Sequence, residues 1–142
     1  KDSIFDYENN GKVQDNFVKQ IATLVENLKH GNAYLGCQYG VDRTNFALVL
    51  EYIFNYNSTH KAPKIFPSNY TTRNALLNKN INLVKKIIKR LSTEQREILK
   101  LPNDFDEVIL PKRVGAIVKE NNAGLTKDIL QRVKHKIRDL ML

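Results

Sequence analysis

The sequence holds a single cysteine, Cys37, in 142 residues. One thiol cannot close an internal disulfide, and that points to a reducing, cytoplasmic setting. No apolar run approaches the ~18 residues a membrane-spanning helix needs. No signal peptide is visible. A chain that opens on Lys1 without Met looks trimmed, so upstream targeting or secretion signals stay open. Histidines are few: His60 and His135 have no partners at metal-ligand spacing, and His30 falls at a helix end, so no metal site is expected. There is no internal repeat and no low-complexity tract. Acidic residues are in deficit, 15 against 23 Lys and Arg, which leaves a formal net charge of +8. That balance favours anionic partners: phosphorylated substrates, an anionic membrane surface or nucleic acid. A solvated lysine-rich surface explains the same charge.

What remains is a chain long enough for one domain with a real core, residues 1–142, of which 42% are hydrophobic. Its four prolines and six glycines act as punctuation. Glu8-Asn9-Asn10-Gly11 is a turn signal after a short apolar stretch at Ile4-Phe5. From Asp15 to Lys29 the apolar residues Phe17, Ile21, Leu24, Val25 and Leu28 recur at helical spacing. Gly31 suits the position just past that helix. Ala33-Tyr34-Leu35 reads as the end of a buried strand. Asn45 to Tyr56 reads as a helix that is apolar on nearly every face and therefore buried.

The second half, 57–142, reads as helical. Pro63 and Pro67 mark a connecting segment. Thr71 or Thr72 is the expected N-cap of a helix with the stripe Leu77, Ile81, Val84, Ile88 and Leu91. Its far face carries Lys79, Lys85, Lys86, Lys89 and Arg90. No aromatic residues interleave with these charges, which argues against a single-stranded nucleic-acid platform. Ser92 with Gln95 fits a capping box opening a short helix that Pro102 stops. Asp104 to Leu110 reads as a helical turn. Pro111 suits the first turn of a helix to Glu120. Thr126 is the expected cap of a last amphipathic helix with Ile129, Leu130, Val133, Ile137 and Leu140.

The stretch richest in chemistry is Gly36-Cys37-Gln38-Tyr39-Gly40-Val41-Asp42-Arg43-Thr44, between the strand end and the buried helix. Backbone N–H groups at a helix start have no intrahelical partner, and the helix dipole places partial positive charge there. Arg43 adds a planar fork of donors that suits two phosphate oxygens at once. Cys37 stands where the same field would favour its thiolate.

Cys-x5-Arg-Thr in a strand–loop–helix setting, with Gly40 three residues after the cysteine, resembles the signature loop of the cysteine-dependent phosphatases, the protein tyrosine phosphatase superfamily. The resemblance spans roughly Ile4 to Tyr56. It implies an α/β fold with a central parallel sheet, of which this chain would be the C-terminal, mostly helical portion with one or two strands. Residues 1–56 would be the core unit, incomplete at its N-terminus. It further implies that Cys37 is the nucleophile and that the backbone of Gln38, Tyr39, Gly40, Val41, Asp42 and Arg43 cradles the phosphate. Thr44 would steady the sulfur, and no cofactor would be needed.

The resemblance also calls for an acid upstream of the cysteine. Asp6 stands in that region, with Asp2 a second candidate. Phe5-Asp6-Tyr7-Glu8 does not reproduce the Trp-Pro-Asp of tyrosine phosphatases and looks more like the dual-specificity branch. Asp42 is the competing acid. Asp42-Arg43-Thr44-Asn45 is similar to the loops of myotubularins and of Sac-type phosphoinositide phosphatases. Gly36 replaces the histidine that often precedes the cysteine. Gln38, Tyr39 and Val41 supply no lysine for extra ring phosphates, which sets this loop apart from many lipid phosphatases. The expected function is hydrolysis of phosphomonoesters on phosphotyrosine or phosphoserine/threonine proteins through a phosphocysteine. The alternatives are a phosphoinositide phosphatase and an inactive phosphate-binding module. A helical nucleic-acid binder ranks below these.

Overall fold

The computed structural model describes residues 7–29, 42–56, 60–66, 70–122 and 125–141. Among these the chain is mostly helical, with one small antiparallel sheet.

The sheet is a hairpin of β1 (Glu8–Asn9) and β2 (Lys12–Val13), with Glu8 opposite Val13 and Asn9 opposite Lys12. Asn10 and Gly11 turn between them at φ 52° and 77°. Positive φ at both central residues is what a two-residue type I′ turn demands, and Asn-Gly tolerates it best. The sequence signal at residues 8–11 was therefore half turn and half strand. This hairpin is not the parallel sheet that the resemblance implies. The strands expected at Ile4 and over residues 33–37 lie outside the described residues.

Helix α1 (Asp15–Lys29) has the bounds its periodicity predicts. Phe17 and Ile21 are buried as expected, and Val18 joins them. Helix α2 (Asp42–Phe54) begins three residues earlier than the sequence reading placed it. Its Phe46, Val49, Leu50, Ile53 and Phe54 are buried, so the all-round apolar pattern does mark the central helix. Helix α3 (Tyr70–Arg90) buries Leu77, Ile81, Val84, Ile87 and Ile88 along the expected stripe. It opens at Tyr70, so Thr71 and Thr72 are first-turn residues rather than caps. Lys79, Lys85, Lys86 and Lys89 are exposed on its far side. Arg90 is tied to Glu8 of the hairpin by an ion pair.

Helix α4 (Thr93–Ile98) has the predicted capping box: Gln95 N donates to Ser92 Oγ at 3.2 Å, and Ser92 N donates to Gln95 Oε1 at 3.0 Å. Gln95 does more than cap. Its Nε2 donates to Val13 O at 2.7 Å and to Asp15 Oδ1 at 2.9 Å, joining α4 to the hairpin and to the start of α1.

A π-helical turn, Phe105–Ile109, leads directly into helix α5 (Leu110–Asn122). Pro111 has no N–H and would crowd the carbonyl of an α-helical turn before it. The wider π turn accommodates that break without ending the helix. Arg96 holds the turn from outside, with two hydrogen bonds to Asp106 at 2.8 and 3.0 Å and a third to Ile88 O at 2.8 Å. Phe105 is buried and stacks on Phe54 of α2, centroids 6.0 Å apart. Helix α6 (Leu125–Met141) starts one residue before Thr126, so Thr126 is not its cap.

The core thus gathers β2, α1, α2, α3 and α5, with α2 in the middle, packed against α1, α3 and α5. No helix among the described residues is long and apolar enough to cross a membrane.

Candidate functional site

The candidate loop meets the described structure at the start of α2. Asp42 is the first helical residue, and its side chain is not among those described. Arg43 follows in the first turn and is exposed, while Thr44 and Asn45 are buried. Cys37, Gln38, Tyr39, Gly40 and Val41 lie outside the described residues, as does Asp6. Of the expected site residues, the structure therefore brings Arg43 and Thr44 together on one helical turn.

Why α2 starts here is legible from its contacts. The helix body is core, so its axis is fixed by packing on α1 and α3. Its first turn is anchored by Asn45, which is fully buried. Asn45 Nδ2 donates to Phe66 O at 2.7 Å, and Phe66 N donates to Asn45 Oδ1 at 3.0 Å. A side-chain amide that satisfies both polar groups of one peptide residue acts like a strand partner. Residues 60–66 run beside the helix as a strap, and Phe66 presents a ring that is 56% exposed.

The middle of the strap is held by Asn121 of α5. Its Oδ1 accepts from Ile65 N at 2.9 Å, and its Nδ2 donates to Pro63 O at 3.0 Å and to Ile117 O at 2.8 Å. Arg73 Nη2 donates to Asn121 O at 2.9 Å, which brings α3 into the same cluster. The sequence reading missed both asparagines as positioning residues. The available signal was a polar residue at a core-facing register, Asn121 four residues after buried Ile117.

Farther along α2, buried Glu51 accepts from Asn55 Nδ2 at 3.1 Å and lies 3.2 Å from His60 Nε2. The Tyr52 ring meets the His60 ring edge-on, and the Arg113 guanidinium lies over Tyr52, 4.9 Å from its centroid. These side chains, with Tyr56 and Lys112, line a cleft of about 290 Å³. Arg113 also donates to Tyr56 O, so its charge is committed to holding the end of α2. Among the described residues, no three His, Cys, Asp or Glu side chains gather in a way that would hold a metal ion.

Chemically, the first turn of α2 offers backbone N–H groups without intrahelical acceptors, the positive end of the helix dipole and an exposed guanidinium. Groups of these kinds suit oxyanions, phosphate foremost. Compared with models of protein families, with characterised proteins and with solved structures, the chain matches none.

Proposed function

We propose that the chain is a cysteine-dependent phosphatase acting on phosphomonoesters of phosphotyrosine or phosphoserine/threonine proteins. The observation that carries the reading is the position of Arg43. It is exposed on the first turn of a buried helix and follows Cys37 by six positions in the sequence. A rigid helix is a sound mount for such a residue, because transition-state stabilisation requires donors held in place before charge develops.

The Cys37 thiolate attacks phosphorus, the bond from phosphorus to the ester oxygen breaks, and a phosphocysteine forms. Arg43 and the loop amides hold the equatorial oxygens as charge spreads over them. Asp6, or Asp42 in its place, protonates the departing oxygen. The resulting carboxylate then takes a proton from water as that water attacks phosphorus and releases the thiolate and inorganic phosphate.

Asp42-Arg43-Thr44-Asn45 favours a second substrate class, the phosphoinositides, through its similarity to Sac-type loops. Asn45 itself has a structural task, gripping Phe66, that does not depend on the substrate.

The test is turnover of an aryl phosphate by the chain and by Cys37→Ser. Loss of turnover with phosphate binding retained is the expected result. Full activity in Cys37→Ser would overturn the mechanism. A chain that binds phosphate without turnover in either form is a binding module instead. Activity on a phosphotyrosine peptide against a phosphoinositide then assigns the substrate class.

A further inference from the structure

Helix α6 is amphipathic in sequence, and its described side chains, 131 and 133–141, lie outside the core. Among the described residues, none of its side chains belongs to the buried cluster. Val133 is 46% exposed, Ile137 51%, Leu140 86% and Met141 82%. At about 100° per residue, Val133, Ile137 and Leu140 fall within about 60° of one another, and Met141 widens the stripe on one side. Contiguous exposed aliphatic surface of this kind marks an interaction face.

The charges decide what covers it. Lys136 borders the stripe on one edge and Lys134 on the other, both exposed. Arg138 lies just beyond Lys134, and Asp139 is set back from the stripe on the polar side. Lysines at the boundary of an aliphatic stripe can extend their apolar stems along it and place their ammonium groups above, at the level of lipid phosphates. The acid then faces water.

A second copy of the helix fits this pattern poorly. With Val133, Ile137 and Leu140 as the seam, Lys134 and Lys136 occupy the flanking positions, so self-pairing sets lysine against lysine. The helix has 17 residues, short of the several heptads a stable coiled coil needs. A shaped protein groove is also a weak fit, because the stripe offers no aromatic anchor of the sort that concentrates binding energy in such sites. A fluid acyl layer needs no such anchor.

We infer that α6 lies in the plane of an anionic lipid surface, its Val133–Ile137–Leu140 stripe facing the acyl region and Lys134, Lys136 and Arg138 meeting headgroup phosphates. The inference stands apart from the phosphatase reading, since it uses no residue of the Cys37 loop.

The experiment is co-sedimentation of the whole chain with vesicles of phosphatidylcholine alone and of phosphatidylcholine mixed with phosphatidylserine. Binding to the mixed vesicles, much weaker binding to the neutral ones, and release by salt are expected. Lys134→Glu with Lys136→Glu should lower affinity for the mixed vesicles by on the order of tenfold or more. Ile137→Glu with Leu140→Gln should abolish binding. All four positions are exposed, so thermal unfolding of each variant should match the parent chain. Absence of binding to the mixed vesicles overturns the inference, as does equal binding to neutral and anionic vesicles. Concentration-dependent dimerisation that Ile137→Glu removes, without vesicle binding, would assign the face to a second copy.

Discussion

Asn45 and Phe66, 21 residues apart, are joined through both polar groups of the Phe66 backbone, at 2.7 and 3.0 Å. This pair fixes the strap to the very turn of α2 that carries Arg43. Asn45→Ala leaves a peptide N–H and a carbonyl without their partner in a partly buried setting. The expected loss of stability is roughly 2 to 4 kcal/mol, read from denaturant midpoints. If the strap supports the loop, aryl phosphate turnover falls in the same variant at temperatures where it remains folded.

Asn121 makes a second such clamp. Asn121→Leu keeps the bulk and removes all three side-chain hydrogen bonds, to Ile65, Pro63 and Ile117. A loss of about 3 kcal/mol is expected. Amide exchange provides the local reading: the Ile65 N–H should lose protection to a greater degree than the N–H groups of α1.

Gln95 links three elements through one amide. Gln95→Glu keeps an oxygen for Ser92 N but sets a carboxylate against Val13 O and Asp15. The native state then holds a proton on the new carboxyl more tightly than the unfolded chain does. The stability gap between variant and parent should therefore be largest near neutral pH and narrow as pH falls through the carboxylate range. A gap that is constant with pH would mean the lost donor, not the added charge, is responsible.

Under the phosphatase reading, Arg43→Lys replaces a planar fork with a single ammonium point. kcat/KM should fall on the order of 100-fold or more, with a small change in melting temperature because the residue is exposed. Asp6→Asn should lower kcat more on an alkyl phosphate than on an aryl phosphate with a good leaving group, since only the former needs the proton. If Asp42→Asn shows that selectivity and Asp6→Asn does not, Asp42 is the acid.

Much of the helical layout was written in local pattern. The spacing from Phe17 to Leu28 marked α1, and Ser92 with Gln95 gave the capping box. Both depend on contacts within a few positions, which a sequence displays directly. The hairpin strands were missed because two residues each are too short to alternate. The π turn was read only as a helical turn, since Pro111 signals a break but not how the backbone absorbs it. The clamps of Asn45 and Asn121 on the strap left no trace in periodicity, because each joins residues from distant parts of the chain. Of the candidate site, Arg43 and Thr44 stand on α2, while Cys37 and Asp6 remain proposals from sequence.

The strap also orders events in time. Ile65 is secured by a side chain 56 positions downstream. During synthesis, Pro63 and Ile65 cannot be fastened until α5 has left the ribosome, so a nascent chain halted before that point would hold the strap by the Asn45–Phe66 clamp without the Asn121 one.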